Sequence, residues 1–308
     1  MAGSIFDDLQ RQGEPDLSGF QWLDLRHAVE QAPEPLDFVL PGFKSGTVGA
    51  LVSPGATGKT MLALQAAVTV SGGPDMLDFA SMDTAWRRTA GRVVFLTGED
   101  PADVLNGRFH AIGQRLNPAE REAMFENLSV APLVGRGADV MTFEWRRWIA
   151  GVTCDARLVV IDTLRRFHQL DENDGGHMAG LLAYMEQLCR ENSTTVLFLH
   201  HTSKAGALNG GDAQQASRGS SVLTDNARFQ ANLVGMTPEQ AKQFDVDENC
   251  RRNFVRLSFP KINYSAPIPD QWFRRRDGGL LEPAVLERGT FKSAKTGSFQ
   301  KGGDDERW

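Results

Sequence analysis

Cysteine is scarce in this chain, and the three thiols present, Cys154, Cys189 and Cys250, stand far apart. Neither the paired spacing of a zinc knuckle nor the even count of a disulfide framework is there, so a zinc-held or disulfide-held scaffold is excluded. Scattered free thiols belong to a reducing compartment, and the expectation is a cytoplasmic protein. Long hydrophobic runs are lacking too. No stretch of about 18 apolar residues occurs, and the start shows no basic segment followed by an apolar one, which argues against a membrane span or a secretory leader. A surplus of positive charge is the third absence. Lys and Arg number 33 against 39 Asp and Glu, leaving a formal charge of −6. That balance excludes a protein that coats nucleic acid with its whole surface, and leaves room for a local basic channel.

What is present is enough apolar material for one large core, 41% of 308 residues. Residues 1–35 are polar, contain Pro15, Pro33 and Pro35, and carry one amphipathic stretch at 20–29 that reads as a helix within an arm. From 36 to 288 short apolar runs alternate with longer segments of helical period. This is the pattern of an α/β domain with a mostly parallel twisted sheet flanked by crossover helices. Strands are expected at 47–52, 92–97, 128–131, 158–162, 195–200, 228–233 and 254–259, and helices at 59–70, 102–116, 118–125, 142–149 and 178–191. Asp277-Gly278-Gly279 reads as the turn of a C-terminal β-hairpin extension, and 289–308, rich in Lys, Gly, Ser and Asp, as a disordered tail. Two segments, 165–176 and 203–220, are rich in Gly, Asn, Asp and Gln and are expected to be long functional loops that do not pack as core.

Ser53-Pro54-Gly55-Ala56-Thr57-Gly58-Lys59-Thr60 follows an apolar strand and opens a helix, the context a phosphate loop requires. Glycines 55 and 58 permit positive φ and close approach of the backbone, so that successive N–H groups can surround phosphate oxygens at a helix N-terminus. Lys59 then neutralises the β and γ phosphates of ATP, and the Thr60 hydroxyl holds Mg2+. Ser53 replaces the first glycine of the Walker consensus, a small-for-small exchange. The apolar run 158–161 ends in Asp162, a candidate Walker B acid that reaches Mg2+ through water. Glu99, at the end of the strand after the first crossover helix, is placed to orient and deprotonate the attacking water. Asp100, followed by Pro101, is better explained as a helix cap. The pair His200-His201 closes a further strand at the same edge. Metal, a buried hydrogen-bonded histidine and a γ-phosphate sensor are the three readings; no third ligand stands at a metal-site spacing, and the sensor is preferred. Trp86, Trp145 and Trp148, each beside arginines, are read as packing residues rather than base-stacking platforms.

These elements, in this order, resemble the RecA-like P-loop ATPase core. The runs Gly46 to Gly55, Ile161-Asp162-Thr163-Leu164-Arg165-Arg166-Phe167-His168, the Ala-Ser-Arg-Gly-Ser-Ser at 216–221 and Trp272-Phe273-Arg274-Arg275 resemble one branch of it, the RepA-type hexameric replicative helicases of broad-host-range plasmids. The resemblance spans roughly residues 35–288. It implies a homohexamer that hydrolyses ATP at subunit interfaces and translocates on single-stranded DNA in plasmid or phage replication. Glu99 then matches the catalytic acid, Asp162 the Walker B acid, His201 the sensor and Arg218 an arginine finger donated to a neighbouring subunit. Lys261 resembles the Lys of a DnaB-type motif, but Asn263 stands where that motif has Arg. The two long loops match the DNA-facing loops, and Arg165, Arg166, His168 and Lys204 supply their phosphate contacts. No primase domain fits in this length, so primase and initiator would be other chains. Two alternatives stay open: a RecA-like DNA-binding ATPase in recombination or regulation that does not unwind, and a signalling ATPase without a nucleic-acid partner.

Overall fold

The computed structural model describes residues 21–201 and 221–287. The chain divides into two units, residues 1–36 and 37–308. In the first, the helix Leu25–Glu30 starts where the Asp24 carboxylate accepts a hydrogen bond from the His27 backbone N–H at 3.0 Å. The amphipathic stretch expected at 20–29 is shortened to this point by that cap.

The second unit is built on a nine-stranded sheet. Its strands are β3 (Val48–Ser53), β4 (Val93–Thr97), β5 (Leu128–Pro132), β6 (Leu158–Asp162), β7 (Val196–His201), β8 (Phe229–Gly235), β9 (Phe254–Ile262), β10 (Gln271–Arg275) and β11 (Leu281–Ala284). The order is β11-β10-β9-β8-β3-β7-β6-β4-β5. From β8 to β5 all neighbours run parallel, while β9, β10 and β11 add an antiparallel extension at one edge. All seven strands expected from the sequence form within a residue or two of their predicted ends. The central ones read as continuous apolar runs because both faces are covered. In β4, Val93 and Phe95 enter the core on one face and Val94 and Leu96 the core on the other; β6 divides Leu158 and Val160 from Val159 and Ile161 in the same way.

Helices Lys59–Val70, Ala102–Gly113 and Pro118–Asn127 pack on the first face, and Phe143–Thr153 and Gly175–Glu191 on the second. The helix Lys59–Val70 is buried along nearly its whole length, so its apolar residues show no one-sided stripe. A small hairpin of β1 (Phe38–Leu40) and β2 (Phe43–Lys44), absent from the sequence reading, seats Phe43 against Phe229 with ring centroids 4.7 Å apart.

The segment 165–176 departs from expectation. Leu164–Phe167 forms a 3-10 turn whose Leu164 and Phe167 are fully buried in the second core. The Gly, Asn and Asp residues that follow masked an apolar anchor at the start of the loop. The other loop, 203–220, and the tail 289–308 lie outside the described residues. Trp86 and Trp145 pack as expected, Trp86 buried with its Nε1–H donating to the Phe38 carbonyl at 3.2 Å. Among the described residues no helix is long and apolar enough to cross a membrane.

Candidate functional site

Parallel pairing in register brings the carboxyl ends of four strands to one edge: Ser53 of β3 is level with His201 of β7, and Thr97 of β4 with Asp162 of β6. Loops leaving that edge are where an open α/β sheet places its ligands. A cleft of about 460 Å³ opens there, lined among others by Lys59, Thr60, Glu99, His201, Arg108 and Arg275.

The phosphate loop enters the helix through Gly58, whose φ of 99° is open to glycine and costly for other residues. The second positive φ belongs to Ala56, at 60°, and not to Gly55, so one of the two glycines assigned that role from sequence does not play it. Ser53 is buried and donates its hydroxyl to the Pro54 carbonyl at 3.0 Å, and Thr57 donates to the same carbonyl at 2.9 Å. Serine thus fits the entry position and stiffens the turn.

Lys59 is buried, and its ammonium lies 3.2 Å from His201 Nδ1. An ammonium has only donors, so Nδ1 accepts, which leaves the proton on Nε2 facing Glu99 Oε1 at 3.4 Å. The same Oε1 accepts from the Thr163 hydroxyl at 2.9 Å. A continuous chain Lys59–His201–Glu99–Thr163 results, built from four separate segments. Burial pushes the Glu99 carboxyl up, but the Thr163 hydroxyl, His201 and Lys59 outweigh it and hold Glu99 below the usual carboxylate range. Burial lowers Lys59, with Asp162 and Glu99 opposing. His200, one residue back and facing the interior, is pushed down to about 4 by burial and then by Lys59, His201 and His168, so it is neutral at physiological pH. Of the histidine pair, then, one is a buried neutral ring and the other the site residue. Among the described residues no group of three His, Cys, Asp or Glu is placed to hold a metal.

Asp162 is fully buried, and neither carboxylate oxygen has a protein hydrogen-bond donor in bonding geometry. Burial raises it to about 6, with the Thr60 hydroxyl and Lys59 pulling the other way. An orphaned buried carboxylate beside a hydroxyl at the phosphate loop fits Mg2+, which keeps several waters and draws its remaining ligands from substrate phosphates. Thr60 and Asp162 are the residues that would hold it.

Asp100 does not cap the following helix; Pro101 occupies that position, and Asp100 pairs with Arg108 at 2.9 Å. The reason is the extended conformation of Pro101, which starts the helix one residue later than a cap at Asp100 needs. His168, expected as a DNA contact, is buried with its ring 3.7 Å from Glu172, because Phe167 pulls the chain into the core. Arg165 and Arg166 remain exposed. Lys261 donates to the Thr224 and Asp225 carbonyls near the end of the helix Ser221–Asn226. Lys204 and Arg218 lie outside the described residues.

Arg275 was missed as a site residue. It reaches the loop from β10, donating through Nη2 to the carbonyls of Ala56 at 3.3 Å and Thr57 at 2.5 Å. The only sequence signal was its place in the Trp-Phe-Arg-Arg run, where charges on an edge strand read equally well as solvated.

Among solved structures, an isolated ATPase domain aligns with 92% of this chain and 100% of its own at 15% identity and a TM-score of 0.51. A DnaB-like replicative helicase, solved with attention to its interactions with primase, aligns over 90% of this chain and 70% of its own at 16% identity and a TM-score of 0.54. At these identities the likeness is one of fold. The family model for the AAA domain matches residues 14–207, well over half the chain. The chain belongs to the AAA domain family, and its architecture is that of the RecA-like P-loop ATPases.

Proposed function

We propose that this protein hydrolyses ATP with Mg2+ and uses the energy to move a homohexameric ring along single-stranded DNA, as a RepA-type replicative helicase of a plasmid or phage. The observation that carries the ATPase reading is the chain Lys59–His201–Glu99–Thr163. It joins the cation of the phosphate loop to an ionised carboxylate through one imidazole, so the two ends of a hydrolytic site are already wired together. Glu99, held below the usual carboxylate range, is a proton acceptor at neutral pH and serves as general base toward water. His201 competes with phosphate for Lys59 and reports through β7 to the loop that follows it. When bound, Mg2+ supplies charge neutralisation at the phosphate oxygens. Thr60 and Asp162 position it.

The DNA reading rests on Arg165 and Arg166, exposed on the turn that begins two residues after Asp162. Two phosphate-binding cations are thereby tied to the strand end that holds the metal. The family resemblance adds Arg218 as a finger donated in trans, Lys204 as a second-loop contact, a cytoplasmic setting, and primase or initiator as outside partners. The test is ATP turnover with and without single-stranded DNA, followed by strand displacement on a forked duplex and the native mass with ATP and DNA. Turnover indifferent to DNA would move the protein to the signalling alternative. DNA stimulation without displacement would leave a DNA-binding ATPase that does not unwind.

A further inference from the structure

The C-terminal hairpin touches the phosphate machinery at two points. Gln65, in the middle of the helix Lys59–Val70, donates its amide N–H to the Leu281 carbonyl and accepts from the Leu281 N–H, both at 2.9 Å and both buried. Arg275 bonds the loop itself. Between these points the turn Asp277–Gly279 lies so close to the helix Ala102–Gly113 that a Cβ on Gly278, already at φ +70°, would sit 2.5 Å from the Ala111 Cβ.

The bonds of Arg275 have a directional consequence. The Ala56 carbonyl and the Thr57 N–H share one planar trans peptide and point opposite ways, as do the Thr57 carbonyl and the Gly58 N–H. A guanidinium that holds both carbonyls on its own side turns both N–H groups to the other. Among the described residues neither N–H donates a hydrogen bond. Donation to the carbonyls also polarises each peptide and strengthens its N–H as a donor. Arg275 is half-buried, its third hydrogen bond goes to the Arg252 carbonyl, and none of the three goes to a carboxylate, so its charge stays uncompensated beside the cleft.

We propose that Arg275 is a positioning residue for the phosphate loop, acting from within the same subunit by pinning the Ala56 and Thr57 carbonyls so that the Thr57 and Gly58 N–H groups face a nucleotide polyphosphate. The inference rests on the assignment of residues 53–60 as the nucleotide site. It extends that site to a strand more than 200 residues away in sequence, on the antiparallel extension rather than on the parallel core.

ADP and ATP affinities by calorimetric titration, together with steady-state turnover, test it. Arg275→Met should raise both Kd values and KM about tenfold, the equivalent of one lost charge-assisted hydrogen bond, with kcat changed by less than about threefold because the loss is of uniform binding. Arg275→Lys keeps the charge but reaches one carbonyl at a time, so it should restore only part of the affinity. Gln65→Leu cuts the other tie between hairpin and helix; it should lower Tm and leave Kd within about twofold, since it does not orient the loop peptides. Unchanged affinity in Arg275→Met would overturn the proposal. Equal losses in Gln65→Leu and Arg275→Met would reduce Arg275 to a strut, and wild-type affinity in Arg275→Lys would refute the two-carbonyl geometry. Lys59→Ala separates the premise from the inference: if it still turns over ATP, the nucleotide site itself is wrong, whereas its loss together with an unaffected Arg275→Met sinks the inference alone.

Discussion

Glu99 is ionised in a half-buried position because three neighbours from other segments favour its charge, and the same three fix where the carboxylate points. Glu99→Gln keeps the shape and the Thr163 hydrogen bond but removes the base. ATP binding should persist while turnover falls by about 10² or more, the usual range for a positioned general base; nucleotide titration and phosphate release measure the two. Asp100→Asn, which breaks only the pair with Arg108, is the comparison, and loss confined to it would transfer the role. His200 offers a pH test of the fold. Its pKa falls from 6.5 to about 4 on folding, so the native state resists its protonation. A depressed pKa contributes stability that is present above 6.5 and is lost as pH falls toward 4, to an extent of about 3 kcal/mol. Chemical denaturation between pH 7 and pH 4 should show that decline, and His200→Asn should flatten it. An identical pH dependence in the variant would contradict a buried neutral imidazole.

At the level of elements, the 3-10 turn Leu164–Phe167 matters most. Two buried side chains, Leu164 and Phe167, clamp it to the core, and the two between them, Arg165 and Arg166, are left facing out. A four-residue turn anchored at both ends presents two cations with little freedom to lose on binding, which favours phosphate contact over a loose loop. Replacing Arg165 and Arg166 together by Ala should weaken single-stranded DNA binding and reduce the log–log salt slope by about 0.7 for each lost phosphate contact. ATP turnover without DNA should hold. A fluorescence titration at several salt concentrations decides, and an unaltered slope would return these arginines to a solvated role.

For the whole molecule the proposed ring is testable by mixing two inactive variants. Arg218→Ala keeps the phosphate loop and lacks the finger; Lys59→Ala has the reverse defect. If the finger acts across a subunit boundary, an Arg218→Ala subunit beside a Lys59→Ala subunit borrows an intact arginine, and ATP hydrolysis returns in the mixture. Arginine fingers contribute roughly 10³ to 10⁵ in rate, so even a minority of complemented interfaces is measurable. Mixed rings that assemble and remain inactive, or an Arg218→Ala ring active by itself, would rule out donation in trans.

Local chemistry was enough to read the phosphate loop, the strand-end acids and the order of strands. Each depends on a pattern a few residues long: a glycine turn between strand and helix, and apolar runs buried on both faces. Such patterns survive without knowledge of what lies across the sheet. Three things escaped them and were decided by tertiary packing. His168 looked like a free cation on a polar loop, yet the neighbouring Phe167 draws it into the core. Thr163 gained its part only when pairing of β4 with β6 brought it to Glu99, 64 residues away. Arg275 is adjacent to the phosphate loop because β10 pairs with β9, β9 with β8 and β8 with β3. Short-range spacing names a motif, but a hydrogen bond between residues 218 apart exists only through the register of every strand between them.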